Sequence, residues 1–318
     1  MKKEEKRRQM SSGKCRIGLP NALLYSRCHI LWNTFFSSLG IEVIESGPTN
    51  KKVLLNGTEA AIDETCLSAK LYLGHVRSLI GKCDYILIPR ISNLGRQRNM
   101  CTRFESMYDL ACGTFRNSGQ KFLCYNVDVA RKITEENAFL SMGAELGFSK
   151  KTAKEAYKKA KKEEREHLHV QLKAEETLYK MNGIKIMVAA HSYIIEDEYL
   201  GKPIMDYLKT LGTIPIRADI ADHKEALKQS LEISPTMKWE WSREVTGNIQ
   251  IHRNQIDGIL LISAFPCGPD SIVNEIISRR FSPIPVLNLS LDSQSGTDGI
   301  ETRLESFVDI LKFKKGEN

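Results

Sequence analysis

Three of the eight cysteines in this chain lie where a metal or redox site is usually built. Cys66, Cys101 and Cys267 each stand at or just before the start of a predicted helix, in a polar or Gly/Pro-bearing loop. Helix N-termini carry partial positive charge and free N–H groups, which stabilise the thiolate that ligates metal. Three converging thiolates would suit an open-coordinated iron–sulfur cluster or a zinc ion. The three are far apart in sequence and no CxxC pair is present, so spacing alone does not decide the metal.

Local signals support the helix starts behind two of these cysteines. The segment 102–105 (TRFE), directly after Cys101, fits a capping box. Asp270, three residues after Cys267, is a plausible N-cap for the helix that follows. We therefore expect both thiols to lie at helix N-termini.

The other five cysteines fit packing roles better than chemical ones. Cys28 lies on the apolar stripe of a predicted helix, and Cys112 lies within another. Cys15 and Cys124 fall in strand patterns, and Cys83 precedes a strand. Because an unligated cysteine commonly behaves as a small buried hydrophobe, we assign no chemistry to these five.

Side chains for acid–base chemistry are weak candidates in this sequence. Glu64 and Asp270 flank the cysteines, although helix capping is the simpler interpretation. His191 and Tyr193 follow a predicted strand, where site residues often lie, but a loop histidine with a structural partner is the simpler interpretation. Arg90 ends the strand DYILIPRI, where anion binding and a structural ion pair are equally open.

The elements that must position these residues alternate between strand and helix, which is typical of a parallel sheet with crossover helices. We predict an α/β fold with two Rossmann-like parallel-sheet units joined by a helical segment. Residues 1–14 are expected to form a disordered tail, 15–130 the first domain, 131–181 the helical connector, and 182–318 the second domain.

Eight segments are predicted to form the strands of the two sheets, and two of them, 84–91 and 257–264, are of the buried type. The eight segments cover residues 15–19, 41–45, 84–91, 121–127, 184–190, 213–217, 257–264 and 285–289. Ligands of open parallel sheets bind beyond the carboxyl ends of the strands. Two such sheets facing each other would therefore place the site in a cleft between them.

Composition and charge narrow the class of protein. The chain has 318 residues, 42% of them hydrophobic, and a formal net charge of +7. Much of the charge lies at 1–14 and 150–180, where Lys and Arg alternate with Glu. That pattern indicates a solvated surface rather than nucleic-acid binding, although the second stretch could contact a CoA phosphate or a partner protein.

The sequence shows no segment of the ~20 apolar residues that a membrane span needs. Its N-terminus also lacks the apolar core of a signal peptide. We therefore expect a cytoplasmic protein without membrane or nucleic-acid partners. In that compartment disulfides are rare, and cysteines more often bind metal, react or pack.

Six short segments, spread over nearly the whole chain, carry a family resemblance. They are IGLPNALLY at 17–25, PTN at 48–50, DETC at 63–66, IPRI at 88–91, CGPDS at 267–271 and GIETRLE at 299–305. In these segments the chain resembles proteins related to 2-hydroxyacyl-CoA dehydratases and their activators, in the branch described as acyl-CoA dehydratase activase-related. CGPDS after a hydrophobic strand, together with GIETRLE in the last helix, is the most specific combination.

The resemblance implies two Rossmann-like units and a [4Fe–4S] cluster held by three cysteines, with one iron left open. Carried onto this sequence, the ligands are Cys66, Cys101 and Cys267. Two departures affect the details of the cleft. AHSY at 190–193 stands where relatives tend to have Gly-x-Pro-Tyr, and LDSQSG at 291–296 lacks the His-Thr that relatives often show.

The function implied by the resemblance is one-electron redox or dehydration chemistry on an acyl-CoA-like substrate. No phosphate-binding motif of the GxxxxGK[ST] or GxGxxG type is present. An ATP-dependent activator protein, a related dehydratase subunit, or both are therefore the expected partners. The chain would then be a lyase or redox component of anaerobic metabolism. A non-catalytic electron carrier or assembly subunit is the alternative, and a zinc or apo scaffold is a third possibility.

Overall fold

The computed structural model of the chain describes residues 15–95, 97–293 and 297–316. The predicted tail at 1–14 lies outside the described residues, as does part of the segment 291–296. The alternation of strands and helices is confirmed, and so is the prediction of two α/β units with parallel sheets.

The first part of the chain contains four strands and the helices between them. These elements are β1 (Arg16–Leu19), α1 (Tyr25–Ser38), β2 (Glu42–Glu45), α2 (Lys51–Ala60), α3 (Leu67–Leu79), β3 (Tyr85–Asn93), α4 (Thr102–Thr114) and β4 (Lys121–Asp128). A single 3-10 turn (Val129–Arg131) follows, and then α5 (Glu135–Glu145) and the long α6 (Lys150–Tyr179).

The second part repeats the alternation. Its elements are β5 (Ile184–Ala189), α7 (Ser192–Ile195), α8 (Gly201–Thr210), β6 (Thr213–Arg217), α9 (His223–Ile233), α10 (Glu240–His252), β7 (Gly258–Ala264), α11 (Gly268–Arg280), β8 (Val286–Leu291) and α12 (Thr297–Lys315).

Both sheets are parallel and have the same strand order. The first runs β2-β1-β3-β4 and the second β6-β5-β7-β8. In each sheet the order therefore reverses beside the first strand of the unit, between β1 and β3 and between β5 and β7. This reversal is the topological switch point at which open α/β sheets bind ligands.

The central strands are buried on both faces, as expected for parallel sheets covered by helices. Every residue of β7 is buried, and in the first sheet Ile17 and Leu19 of β1 are fully buried. The core of the second sheet includes Met187, Ile259 and Leu261, packed against Val245 and Ile249 of α10. The two sheets thus provide rigid edges from which loops can present side chains.

The chain separates into two compact units with an unexpected boundary. Among the described residues, the first contains those of 15–63 and 69–168, and the second contains Glu64–Ser68 together with those of 169–316. The division therefore falls within α6 at 168/169, and five residues from the first half of the sequence belong to the second unit. The limits predicted for the helical connector, 131–181, remain a prediction.

Two helices, the short α7 and the longer α9, were not predicted from the sequence. The helix α9 begins after Asp222, whose Oδ1 accepts a hydrogen bond of 2.9 Å from the amide of Glu225. Ala226, Ser230 and Ile233 are its buried residues. An aspartate three residues before a glutamate is a capping signal, so the sequence did carry the evidence for this helix.

Among the described residues, no helix combines the length and hydrophobicity that crossing a bilayer would require.

Candidate functional site

Cys66 and Cys267 come together in the second compact unit. The short segment Glu64–Ser68 belongs to that unit, and the amide of Leu67 donates a hydrogen bond of 2.9 Å to the carbonyl of Phe265. Cys66 is close enough to Cys267 to affect its ionisation. Two of the three predicted ligands therefore lie near each other, because the fold joins two distant parts of the sequence.

Cys267 caps α11 through its backbone. Its carbonyl accepts a hydrogen bond of 3.1 Å from the amide of Ser271 and another of 2.7 Å from the Ser271 hydroxyl. Burial, and next to it the carboxylate of Asp270, raise the pKa of the Cys267 thiol. The helix N-terminus was expected to favour the thiolate, but at Cys267 burial and the nearby carboxylate outweigh that effect.

Cys101 belongs to the first unit, where it is the N-cap residue of α4. Its carbonyl accepts a hydrogen bond of 3.0 Å from the amide of Phe104. The capping box predicted for 102–105 is not formed, because Thr102 is already the first helical residue. Within the described part of the chain, no group of three or more His, Cys, Asp or Glu side chains is arranged to hold a metal ion.

Asp270 does not cap its helix as predicted but lies in the first turn of α11, where it pairs with His191. His191 Nε2 and Asp270 Oδ1 are 3.0 Å apart. Burial alone would raise the pKa of Asp270, but His191 and the hydrogen bonds from His191 and Cys267 bring it below its ordinary value. The carboxylate is therefore ionised, so Nε2 carries the hydrogen and donates it.

Two aromatic side chains hold the imidazole from the other side. His191 is the N-cap residue of the short helix α7, and its ring stacks on Tyr193 with centroids 5.1 Å apart. Trp241 of α10 lies 6.1 Å from His191 and 6.3 Å from Tyr193, measured between ring centroids. The orientation of His191 is thus fixed by a carboxylate at Nε2 and by aromatic packing.

A small pocket with a volume of about 20 Å³ opens beside this pair. Its walls are mostly apolar but include four polar residues; the lining residues are Ala189, Ala190, His191, Ser242, Val245, Ile262, Asp270, Val273, Asn274 and Ile277. His191 Nδ1 and Asp270 Oδ2 are buried and have no hydrogen-bond partner among the described residues. The pocket lies at the carboxyl edge of the second sheet, beside the switch point between β5 and β7.

Two further buried hydroxyl groups flank Cys66. Thr65 is 1% exposed and Ser68 is 5% exposed. Neither Thr65 Oγ1 nor Ser68 Oγ has a hydrogen-bond partner among the described residues. An unsatisfied buried hydroxyl costs about 1–3 kcal/mol, so a pair on either side of one cysteine points to a group that the protein binds there.

The remaining predicted residues have ordinary surroundings. Arg90 lies within β3, where its guanidinium pairs with Asp109 and lies 5.1 Å from the ring centroid of Tyr108. Arg90 therefore forms a structural ion pair, which is one of the two interpretations that the sequence left open for it. Glu64 is exposed in the segment that carries Cys66.

The five other cysteines have the surroundings of packing residues, and none of the eight, all of which lie in the described part of the chain, forms a disulfide. Burial is the main cause that raises their thiol pKa values, to about 11 for both Cys83 and Cys124. The pKa values of the other three thiols are raised as well, again mainly by burial; they are Cys15, Cys28 and Cys112.

One buried polar network, centred on His75, was not predicted from the sequence. His75 of α3 is fully buried, with Nδ1 2.8 Å from Ser46 Oγ and Nε2 2.9 Å from Thr49 Oγ1. The amide of Asn21 donates to Ser46 Oγ at 2.8 Å, so the network closes the loops that follow β1 and β2. The segments IGLPNALLY and PTN contained Asn21 and Thr49, but nothing in the pattern marked His75 as their partner.

The chain matches the family model described as the CoA enzyme activase uncharacterised domain, over residues 16–220. The match includes Cys66, Cys101, His191 and Tyr193, and it ends before Cys267. No curated protein matches the chain. Because the matched region is more than half of the sequence, the chain belongs to the family of the CoA enzyme activase uncharacterised domain.

Proposed function

We propose that this protein is an iron–sulfur redox component of a CoA-enzyme activation system, with Cys66, Cys101 and Cys267 as the cluster ligands. The observation that carries the proposal is the hydrogen bond from Leu67 N–H to the Phe265 carbonyl, which holds Cys66 beside Cys267. The family description supports the connection with CoA enzymes. The paired cysteines and the CoA-enzyme family description together favour a one-electron step on an acyl-CoA-type substrate.

Two features of the second unit support a thiolate-bound cluster. Two thiols converge, and the buried hydroxyls of Thr65 and Ser68 are donors without an acceptor among the described residues. Hydrogen bonds to sulfur are one of the means by which proteins adjust the potential of such clusters. Cys101 would supply the third thiolate. When bound, the cluster would pass one electron or polarise a substrate oxygen at an open iron.

The protein's own residues would bind and protect the group. The raised pKa of Cys267 means that its proton has to leave when the sulfur is ligated, since only the thiolate binds metal. The aromatic side chains of Tyr193 and Trp241 hold His191 in place next to Asp270. The proposed ligand Cys267 and the rigid His191–Asp270 pair would thus lie next to each other.

A partner would provide the ATP-dependent step. The sequence contains neither a GxxxxGK[ST] nor a GxGxxG motif, so nucleotide hydrolysis is assigned to another protein. A dehydratase-type enzyme is the partner that the family description favours. We propose that the chain exchanges electrons with that enzyme or carries part of its site.

A non-catalytic electron carrier is the second candidate, and one observation favours it. The pocket beside His191 and Asp270 has a volume of only about 20 Å³, which is far too small for an acyl-CoA thioester. A carrier needs a cluster but no substrate pocket. The size of this pocket therefore limits what it can take to a single small group.

Metal analysis of anaerobically purified protein tests the cluster. We expect brown protein with iron and sulfide, and loss of both in the variants Cys66→Ala, Cys101→Ala and Cys267→Ala. Cys112→Ala is the matched control, because Cys112 is a partly exposed thiol on α4 with no place in the site. Colourless wild-type protein that holds one zinc ion and no iron would exclude the redox function.

A further inference from the structure

The outer strand β6 of the second sheet has a backbone donor that a glutamate of α6 satisfies. In the order β6-β5-β7-β8, one side of the β6 backbone has no neighbouring strand. The amide of Arg217, the last residue of β6, donates a hydrogen bond of 3.1 Å to Oε2 of Glu175. Glu175 therefore joins the last turns of α6 to the edge of the sheet, within the second unit.

The guanidinium of Arg217 is already paired with two other carboxylates. It donates hydrogen bonds of 3.0 and 2.7 Å to Asp219, and its third nitrogen lies 2.8 Å from Glu196 Oε1. Burial favours the neutral form of Arg217, but Asp219 and Glu196 together raise its pKa above the ordinary value, so the guanidinium stays charged. One positive charge thus faces three carboxylates, and the donor that reaches Glu175 is a neutral backbone N–H.

The surroundings of Glu175 disfavour its ionised form. Its side chain is half-buried, and the side chain of Asp219, which is 1% exposed, adds a negative charge nearby. Burial is the main cause that raises the pKa of Glu175 to about 7, although the Arg217 amide and guanidinium act in the opposite direction. Near neutral pH both the protonated and the ionised form of Glu175 are therefore populated.

We propose that Glu175 makes the packing of α6 on the edge of the second sheet sensitive to pH. The protonated carboxyl keeps the hydrogen bond from Arg217 without bringing a third negative charge into the cluster. In the ionised form, desolvation and repulsion from Asp219 weaken the contact and favour local opening of residues 169–176. The inference goes beyond the proposed function and does not depend on the presence of a cluster.

The contacts beyond Glu175 limit how far the opening extends along α6. Leu178 and Tyr179 pack against the core of the second sheet, and the Tyr179 ring stacks on His252 with centroids 3.9 Å apart. Burial raises the pKa of Tyr179 above its ordinary value and lowers the pKa of His252, so both rings are neutral at pH 7. The end of α6 therefore stays in place while the turn around Glu175 responds to pH.

The raised pKa of Glu175 determines the sign of the pH effect. In the open segment the carboxyl ionises near its ordinary value of 4.5, and in the closed segment near 7. The closed segment binds the proton more tightly, so its stabilisation is complete below about pH 4.5 and is lost as the pH rises to about 7. Each pH unit in this window changes the opening equilibrium about tenfold, and the change levels off above it.

Hydrogen exchange of the amides in 169–176 tests the proposal. The measurement uses mass spectrometry on anaerobically purified protein at pH 6 and pH 8, with correction for the intrinsic pH dependence of exchange. Opening of the segment should be about tenfold more frequent at pH 8, because one unit of the window lies between the two conditions. Equal opening at the two pH values would overturn the proposal.

Two matched variants assign the effect to one carboxyl. Glu175→Gln retains an oxygen that can accept the hydrogen bond from Arg217 but cannot ionise, so its opening should be the same at both pH values. Glu176→Gln, the same change at the exposed neighbour, should keep the tenfold rise. A tenfold rise that survives in Glu175→Gln refutes the assignment.

Carbon-13 NMR of the Glu175 carboxyl in the wild-type protein provides a test that needs no variant. We expect its signal to titrate with a midpoint near pH 7. A midpoint near 4.5, the ordinary value for glutamate, would contradict the proposal even if Glu175→Gln failed to fold.

Discussion

At the scale of single residues, two histidines are held in opposite protonation states. Burial lowers the pKa of His75 to about 4, and its two ring nitrogens pair with the hydroxyls of Ser46 and Thr49. Hydrogen bonds that its ring donates to the carboxylates of Glu240 and Glu244 raise the pKa of His223 to about 9. At neutral pH the first imidazole is therefore neutral and the second is charged.

A histidine NMR titration checks both states. We expect the His75 ring to show no protonation between pH 8 and pH 5, while His223 stays protonated up to pH 8. A His75 signal that titrates near pH 6.5 would contradict the buried network.

The depressed pKa of His75 also makes stability depend on pH. The His75 imidazole is protonated below about pH 6.5 in the unfolded chain but only below about pH 4 in the folded protein. Its contribution to stability is therefore lost as the pH falls from about 6.5 to about 4. The loss reaches about 3 kcal/mol at 1.36 kcal/mol per pKa unit. Urea unfolding of wild type and His75→Gln between pH 7 and pH 4.5 measures it as a difference, and parallel curves would contradict it.

At the scale of elements, α2 and α3 touch through two glycines. A Cβ atom on Gly57 would lie 1.9 Å from the carbonyl oxygen of Lys70, and one on Gly74 would lie 2.0 Å from that of Val53. The helices therefore pack backbone to backbone at this crossing. Since α3 follows Cys66 directly, the same contact fixes the direction in which the helix leaves the site.

We expect Gly57→Ala and Gly74→Ala each to destabilise the protein by about 2–4 kcal/mol, because overpacking forces the helices apart. Gly113→Ala on α4 is the matched control, since its Cβ would meet nothing within 4 Å. That change should be neutral or stabilise by about 0.5–1 kcal/mol, as alanine is the better helix former. Thermal unfolding of the three variants decides the point, and equal effects would refute the close contact.

At the scale of the whole molecule, the five residues Glu64–Ser68 belong to the unit that follows them much later in the chain. The Leu67 amide should therefore keep its protection from hydrogen exchange for as long as the second sheet is folded. Exchange measured in rising urea should show Leu67 opening together with β7 rather than with β1. If Leu67 opened with β1, the segment would belong to the first unit after all.

The sequence was sufficient for the architecture, because periodicity and buried strands such as DGILLISA are local signals. It also marked Cys66 and Cys267, since both precede helices. It did not reveal that Asp270, in the first turn of α11, pairs with His191. That contact joins residues that follow β5 and β7, and these two strands are neighbours only in the folded sheet. His75 was missed for the same reason, as its partners come from loops after β1 and β2.

The two sheets have the same strand order, so corresponding corners of the two units can be compared. Asn21 is the second residue after β1, and His191 is the second residue after β5, so the two occupy corresponding positions. In the first unit that corner is closed by hydrogen bonds that join Asn21, Ser46 and His75. In the second unit the corner contains a small pocket beside His191 and Asp270. One topology thus produces a closed polar network in the first unit and a pocket in the second.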